Sequence, residues 1–200
     1  MARIDFHAPA ADVDRALLGA TLLVDGVGGR IVETEAYDES DPASHSFAGR
    51  TARNAVMFGP PGRAYVYRSY GLHWCLNVVC APVGHGAGVL LRALEPTDGI
   101  AAMRERRRVH DLRLLCSGPG RLCQALGVTH ALNALRFDRR PFRLLPRGAG
   151  EAPAVAAGAR IGISKSRELP WRFVLADSVF VSRPMRAAPV AQSASEQEDP

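Results

Sequence analysis

The stretch Ile31-Val32-Glu33-Thr34-Glu35-Ala36-Tyr37 restricts the fold more than any other part of the chain. Read as a strand, it sends Ile31, Glu33, Glu35 and Tyr37 to one side and Val32, Thr34 and Ala36 to the other. The second set is small and mostly apolar, as a packed sheet face requires. The first set places two carboxylates two residues apart, and like charges on one face repel. A strand with only structural duties has no use for that pair, whereas a site that activates water beside a flat ring does. Glu35 therefore reads as a general base or as a surface acid on an edge strand, and the strand alone does not separate the two. For Glu33 the simpler reading is pairing with an arginine.

The surrounding spacing favours strands joined by tight turns. Asp12 to Leu18 has helical spacing and Gly19 as its stop. Thr21–Val24 and Arg30–Ala36 read as strands joined by the turn Asp25 to Gly29. Asp38 to Arg53 is a long polar loop, a length often tied to function. Ala64–Tyr67 and His73–Cys80 form a hairpin bent at Tyr70-Gly71, and Val89–Ala93 is a further strand. Thr97 or Asp98 is expected to cap a helix running to about Val109, and Ser117-Gly118-Pro119-Gly120 opens another over Arg121–Leu126. Arg147 to Gly158 reads as a loop within the domain. Ile161–Ile163 and Arg172–Leu175 read as closing strands, with Phe180-Val181 a short additional one. The expected architecture is mixed α/β (α+β), a single domain with a curved, mainly antiparallel sheet, flanking helices and a protruding β-hairpin. It spans residues 1–186, with a tail over 187–200 that lacks periodicity and is expected to be disordered.

Two hundred residues fit one domain comfortably. No apolar run approaches the roughly 18–20 residues of a membrane span, and the N-terminus lacks an apolar signal region, so a cytoplasmic location is expected. The net charge is +5, and of the 25 Lys and Arg residues only Lys165 is lysine. A GC-rich coding sequence accounts for much of that bias, yet the excess positive charge suits a polyanionic partner. The cysteines at 75, 80, 116 and 123 have no zinc spacing and read as buried thiols, so no metal is expected.

Several other residues could carry chemistry. Tyr70 and Leu72 flank Gly71 at the tip of an aromatic-rich hairpin, and turns are exposed. They read as a wedge that pushes between base steps, with His73 beside them, or as a turn folded back on the protein. His45 lies in a loop with no packing duty. Arg92 interrupts an apolar strand, so its charge must be paired or face a cleft, and pairing with Glu35 or Glu33 would explain both oddities. Ser117, Gly118 and Arg121 could hold a phosphate at a helix start, although an ordinary cap is the commoner use of such a sequence. The Arg104 to Arg108 cluster reads first as a solvated helix face.

Taken in order, Val32 to Tyr37, Asp41 to His45, Thr51 to Asn54 with Met57-Phe58, Tyr65 to Tyr67, Tyr70-Gly71, Leu90 to Pro96 and Cys116 to Pro119 resemble the alkylpurine (3-methyladenine) DNA glycosylases of the mammalian alkyladenine-glycosylase type. The resemblance covers about Leu17 to Gly127 and continues more weakly to about Arg183. It implies a monofunctional DNA glycosylase of base excision repair, acting as a monomer at the bacterial nucleoid. Its partner is duplex DNA carrying alkylated or deaminated purines: 3-methyladenine, 7-methylguanine, hypoxanthine or ethenoadenine. The damaged base is flipped out because its sugar bond is shielded inside the stack. Under this resemblance Glu35 is the general base and Arg92 helps hold the attacking water. Tyr37, His45 and Tyr67 sandwich the base, Asn77 disfavours normal guanine, and Tyr70 fills the vacated space. Arg53 joins Ser117, Gly118 and Arg121 as a candidate phosphate contact. His73 departs from the family, standing where the mammalian proteins carry a phenol. No cofactor is implied, and Lys165 matches no catalytic motif, so water rather than an amine is the expected nucleophile. Two alternatives stay open from the residues alone: a non-catalytic module that binds damaged duplex, and a hydrolase of free nucleosides.

Overall fold

The computed structural model describes residues 4–148 and 153–185. The expected tail at 187–200 and residues 149–152 of the expected loop lie outside these. Helix α1 (Ala10–Leu17) leads into strands β1 (Thr21–Val24) and β2 (Val27–Tyr37). Asp25 and Gly26 alone make the turn, both at positive φ (48° and 81°), as a two-residue hairpin with right-handed twist demands. Gly28 and Gly29, expected in the turn, are instead strand residues. A Cβ on either would come within 1.9 Å of a carbonyl oxygen, Leu22 for the first and Glu95 for the second. Their smallness therefore serves close strand packing.

The chain continues through β3 (Ala64–Ser69), β4 (His73–Val79) and β5 (Gly88–Asp98). β5 is much longer than its apolar centre suggested. Thr97 and Asp98, expected as helix caps, belong to its end. The N-cap of α2 (Ile100–Arg107) is Gly99 at φ 67°, packed so closely on Val27 that a Cβ would meet its side chain at 2.8 Å. Next come α3 (Pro119–Leu126), β6 (Phe142–Leu145), β7 (Val155–Gly158) and β8 (Arg172–Leu175). β6 was not expected, and β7 occupies part of the stretch read as a loop. Ile161–Ile163 and Phe180-Val181 are not strands.

The eight strands of the described residues form one curled antiparallel sheet, ordered β3-β4-β5-β2-β1-β6, with β8 branching from β2 and β7 pairing β8. The architecture is thus mixed α/β, as expected, with three α-helices among the described residues. The branch matters for the site. Glu33 to Glu35 of β2 are hydrogen-bonded through β5 on one side and β8 on the other, so both carboxylates sit in mid-sheet and not on an edge. β2 is irregular between Ile31 and Thr34, and strict alternation fails there: Ile31 joins the apolar core together with Val32.

That core holds Leu17, Leu22, Val32, Leu76, Leu91 and Leu122 among others, between the sheet and its helices. Each such side chain contributes roughly 1.5–3 kcal/mol by leaving water. The four cysteines are free and buried. Burial pushes the Cys80 and Cys116 thiols up to about 12. One acid breaks the apolar pattern. Asp14 of α1 is fully buried, accepts a hydrogen bond from the Thr34 hydroxyl, and its second oxygen has no partner among the described residues. Burial drives its carboxyl well above 3.8, outweighing Thr34. A raised folded-state value means stability is full at low pH and is lost as pH climbs above the unfolded value. Asp14→Asn removes that loss. Thermal melts of the variant and the wild type should coincide near pH 4 and separate above it, with the variant on the order of 1–2 kcal/mol more stable at pH 8. Parallel melting curves across the range would contradict a neutral Asp14.

Candidate active site

The branch point of the sheet assembles an ion network from three strands. Glu33, fully buried, is saturated by donors. Its Oε1 accepts from Arg92 Nε at 3.1 Å, Arg172 Nε at 2.8 Å and the Ser182 hydroxyl at 2.8 Å, and its Oε2 accepts from the Ser182 amide. Glu35, also fully buried, is held differently. Its Oε2 accepts from the Tyr37 phenol at 2.9 Å and from Arg92 Nη1 at 3.2 Å, and its Oε1 from the Ile161 amide at 2.7 Å. A carboxylate offers about four lone-pair positions, so among the described residues Glu35 keeps one acceptor position free. Burial raises the Glu35 carboxyl above 4.5, opposed by Arg92, the Ile161 amide and Tyr37, while Glu33 adds to the rise. Burial and the neighbouring carboxylate push the Tyr37 phenol up, so it stays a donor. The expected pairing of Arg92 is present, and it reaches both carboxylates.

A cleft of about 560 Å³ opens in front of this network. Tyr37, Arg92 and Ile161, the three partners of Glu35, line it, and the Glu35 carboxylate lies behind them. One wall is aromatic. His45 and Tyr67 meet edge to face at 4.5 Å, and Tyr65 stacks on Tyr67 at 5.3 Å. His45 Nδ1 lies 3.1 Å from the Tyr65 hydroxyl. Burial and then Arg53 hold the imidazole below 6.5, so it is neutral at physiological pH. Asn77 completes the wall, its Nδ2 donating to the Tyr65 carbonyl at 3.0 Å.

The polar loop presents His45 because several clamps fix it. Asn54 Nδ2 donates to the carbonyls of His45 and Gly49, and the Ser46 hydroxyl donates to Gly86 O at 2.6 Å. Arg160, with its side chain fully buried, pairs with Asp41 and donates to Ala36 O at 2.9 Å.

The hairpin tip stands on the rim. Tyr70 and Gly71 both have positive φ (49° and 71°), and the Leu72 amide closes the turn on Ser69 O. Tyr70 is 89% exposed and Leu72 71%. A tyrosine in the left-handed region and in water is held against both conformational and hydrophobic preference, a pattern associated with function. His73 instead packs on α3: a Cβ on Gly120 would come within 2.9 Å of its Cβ and Cγ.

Among the residues singled out from sequence, Tyr37, His45, Arg53, Tyr67, Tyr70, Asn77 and Arg92 line the one cleft. Leu72, His73, Ser117, Gly118 and Arg121 lie outside its lining, although Pro119 of the same motif is part of it. The Ser117 motif sits beside β5, where Ser117 bridges Ala93, next to Arg92. Among the described residues no side chain caps α3 at Gly118, and Arg121 turns back to donate to the Ser117 hydroxyl at 3.1 Å. The arginine cluster of α2 is the solvated face expected of it, with Arg104, Arg106 and Arg108 exposed, and part of it also bonds to neighbouring segments. Arg106 donates to Ala125 O, and Arg107 to Leu115 O and the Gln124 side chain, tying α2 to α3 and its approach. Tyr65 shares a strand face with Tyr67, which is a usable signal. Arg160 and the Ile161 amide were not singled out. A backbone amide 126 positions from its acceptor leaves none.

Among the described residues no group of His, Cys, Asp and Glu could hold a metal ion, and no helix is long and apolar enough to cross a membrane.

Comparison with known proteins places these features in a family context. The methylpurine-DNA glycosylase family model matches residues 4–179. A protein of Nitrosospira multiformis named "Putative 3-methyladenine DNA glycosylase" is 63% identical over 183 residues, covering 92% of this chain and 94% of the relative. Relatives with the same name occur in Rhodopseudomonas palustris BisB18, 63% identical over 90% of this chain and 88% of the relative, and in Granulibacter bethesdensis, 61% identical over 87% and 83%.

Proposed function

We propose, from the premise that this chain belongs to the methylpurine-DNA glycosylase family and so hydrolyses N-glycosyl bonds to methylated purines in DNA, that Glu35 is the general base of a monofunctional reaction on a flipped base. The observation that carries this reading is the Glu35 carboxylate. It is held by three donors that themselves line the cleft, and it retains one acceptor position for a water. Deprotonated, it takes a proton as the water oxygen bonds to C1′. The C1′–N bond breaks and its electron pair leaves with the purine. A cationic methylated purine departs neutral, so the base catalyst and the surrounding π-faces suffice. A neutral purine such as hypoxanthine departs as an anion unless it is protonated, and is expected to react more slowly.

The purine stacks between Tyr37 and the wall made by His45 and Tyr67. Asn77, oriented by the Tyr65 carbonyl, meets its edge and disfavours the exocyclic amine of guanine. Arg92 orients the water and stays charged by bridging both carboxylates. Arg53 on the rim and the uncapped start of α3 receive phosphates of the strand. The substrates are 3-methyladenine, 7-methylguanine, hypoxanthine and ethenoadenine in duplex DNA. Lys165 is exposed and stands outside the cleft lining, which supports water over an amine as nucleophile. Duplexes carrying 3-methyladenine or hypoxanthine, incubated with the protein, should accumulate abasic sites without strand cleavage. Folded protein that yields none from either lesion defeats the proposal.

Tyr70 fills the space the flipped base leaves, with Leu72 beside it and His73 braced on α3. Base–aromatic stacking is worth about 1–3 kcal/mol, so Tyr70→Ala should slow release from duplex roughly 5- to 150-fold. The same lesion in single-stranded DNA has no stack to refill and should be released at a nearly unchanged rate. Equal losses on both substrates would remove the wedge role and favour action on unstacked nucleosides.

A further inference from the structure

Arg160 is not needed by the reaction just described, yet it occupies a costly position. Its guanidinium is sealed from solvent between two rings, 4.6 Å from the Tyr37 centroid and 5.5 Å from that of Trp171. It pairs with Asp41, donates to Ala36 O, and leaves its buried Nε without a partner among the described residues. Tyr37 in turn lines the cleft, whereas Arg160 does not. A cation therefore stands behind the ring that offers the pocket its π-surface.

We infer that Arg160 and Asp41 together set how this pocket discriminates between positively charged and uncharged purines. The inference rests on the reading that a flipped base stacks on Tyr37. An aromatic face attracts a cation through its quadrupole. With a guanidinium already 4.6 Å from the ring centre on one face, a cationic base on the other meets that attraction diminished and a like charge across the ring. Asp41 cancels part of the repulsion. Tyr37 thereby offers stacking with little preference for charge, and selection for cationic bases falls to the wall of His45 and Tyr67. An uncharged damaged purine then competes better for the slot than it would against an unmodified tyrosine.

Two substitutions move this balance in opposite directions. Arg160→Met removes the cation and leaves a negative charge at Asp41, favouring the cationic base. Asp41→Asn leaves the guanidinium uncompensated and disfavours it. Single-turnover release of hypoxanthine and of 7-methylguanine would be measured in the same duplex sequence, and the ratio of the two rates taken for each protein. Arg160→Met should lower the hypoxanthine-to-7-methylguanine ratio about three- to tenfold, and Asp41→Asn should raise it by a similar factor. Damage to the clamp on Ala36 slows both bases alike and cancels in the ratio. If Arg160→Met does not fold, Arg160→Lys, which keeps the charge, should hold the wild-type ratio while Asp41→Asn still raises it. Ratios that stay put, or move in the same direction in both charge-changing variants, overturn the inference while wild-type release upholds the proposed reaction. Release of neither base by the wild-type protein overturns both.

Discussion

Glu35→Gln should abolish most base release, by roughly 10²–10⁴-fold, while leaving a folded protein that still binds duplex DNA. Glutamine matches the volume of glutamate, and its amide oxygen can keep the bond from the Ile161 amide at the 2.7 Å position. What it cannot do is accept a proton from water. Arg92 retains Glu33, so its charge is not orphaned by the change. Binding should hold or tighten, because a negative charge is removed from a site that faces a polyanion. The pH dependence carries a second signature. Burial raises the Glu35 carboxyl above 4.5 in the folded protein, so the active carboxylate form is populated only above that raised value. Wild-type single-turnover rates should therefore climb with pH on an acidic limb displaced upward from the ordinary glutamate range, and the residual activity of the variant should lack that limb. Stability has the opposite sign: a raised folded-state value means stability falls as pH rises through the same window. The variant should match the wild-type melting temperature near pH 4 and exceed it at neutral pH. Abasic-site formation under single-turnover conditions, with binding measured in parallel, decides the matter, and turnover retained by Glu35→Gln would assign the base elsewhere.

The parts of the site that local sequence displayed share one property: their meaning rests on spacing of two or three residues. Tyr37 beside Glu35, Tyr67 in its strand and Tyr70 before Gly71 could all be placed by alternation or turn chemistry. Arg92 was conspicuous because a charge in an apolar strand needs a partner, and that partner is present. The missed parts are held together by contacts across most of the chain. Arg172 meets Glu33 at a separation of 139 residues, Ser182 at 149, and Arg160 meets Asp41 at 119. No periodicity encodes such pairs. β6 and β7 were missed for a related reason: four-residue strands at the sheet margin carry too few alternating positions to stand out. The glycine-rich turn misled in a different way. Gly28 and Gly29 answer to neighbouring backbone at 1.9 Å, not to turn geometry, and only the tertiary structure distinguishes those two uses of the same residue. The family resemblance identified which side chains belong together, but it did not supply the branch of the sheet that buries both carboxylates.

That branch separates two acids that looked equivalent, and Glu33→Gln should expose the difference. Glu33 ties β2 to Arg92 of β5, to Arg172 of β8 and to Ser182 beyond it, with no exposed surface. Glutamine keeps the shape but offers one accepting oxygen and no charge. Arg92 still has Glu35, whereas Arg172 is left with the Arg183 carbonyl and the Met185 sulfur, and no carboxylate. Breaking a buried pair by removing one partner costs about 3–5 kcal/mol, because the remaining charge stays desolvated. For a chain of this size that loss corresponds to a fall in melting temperature of roughly 6–20 °C. Chemistry should suffer much less below the new transition, since Glu35, Tyr37 and the Ile161 amide keep their mutual contacts. With Glu33 gone, Arg92 serves Glu35 alone, and its positive charge should move the acidic limb of activity downward. The two glutamine variants thus have opposite phenotypes: Glu35→Gln folded and inert, Glu33→Gln unstable yet active when assayed cold. A stable but inert Glu33→Gln protein would exchange the roles assigned to the two carboxylates. Melting curves, together with single-turnover rates taken well below both transitions, distinguish these outcomes, because the first reads the buried ion network and the second reads only proton transfer to the base.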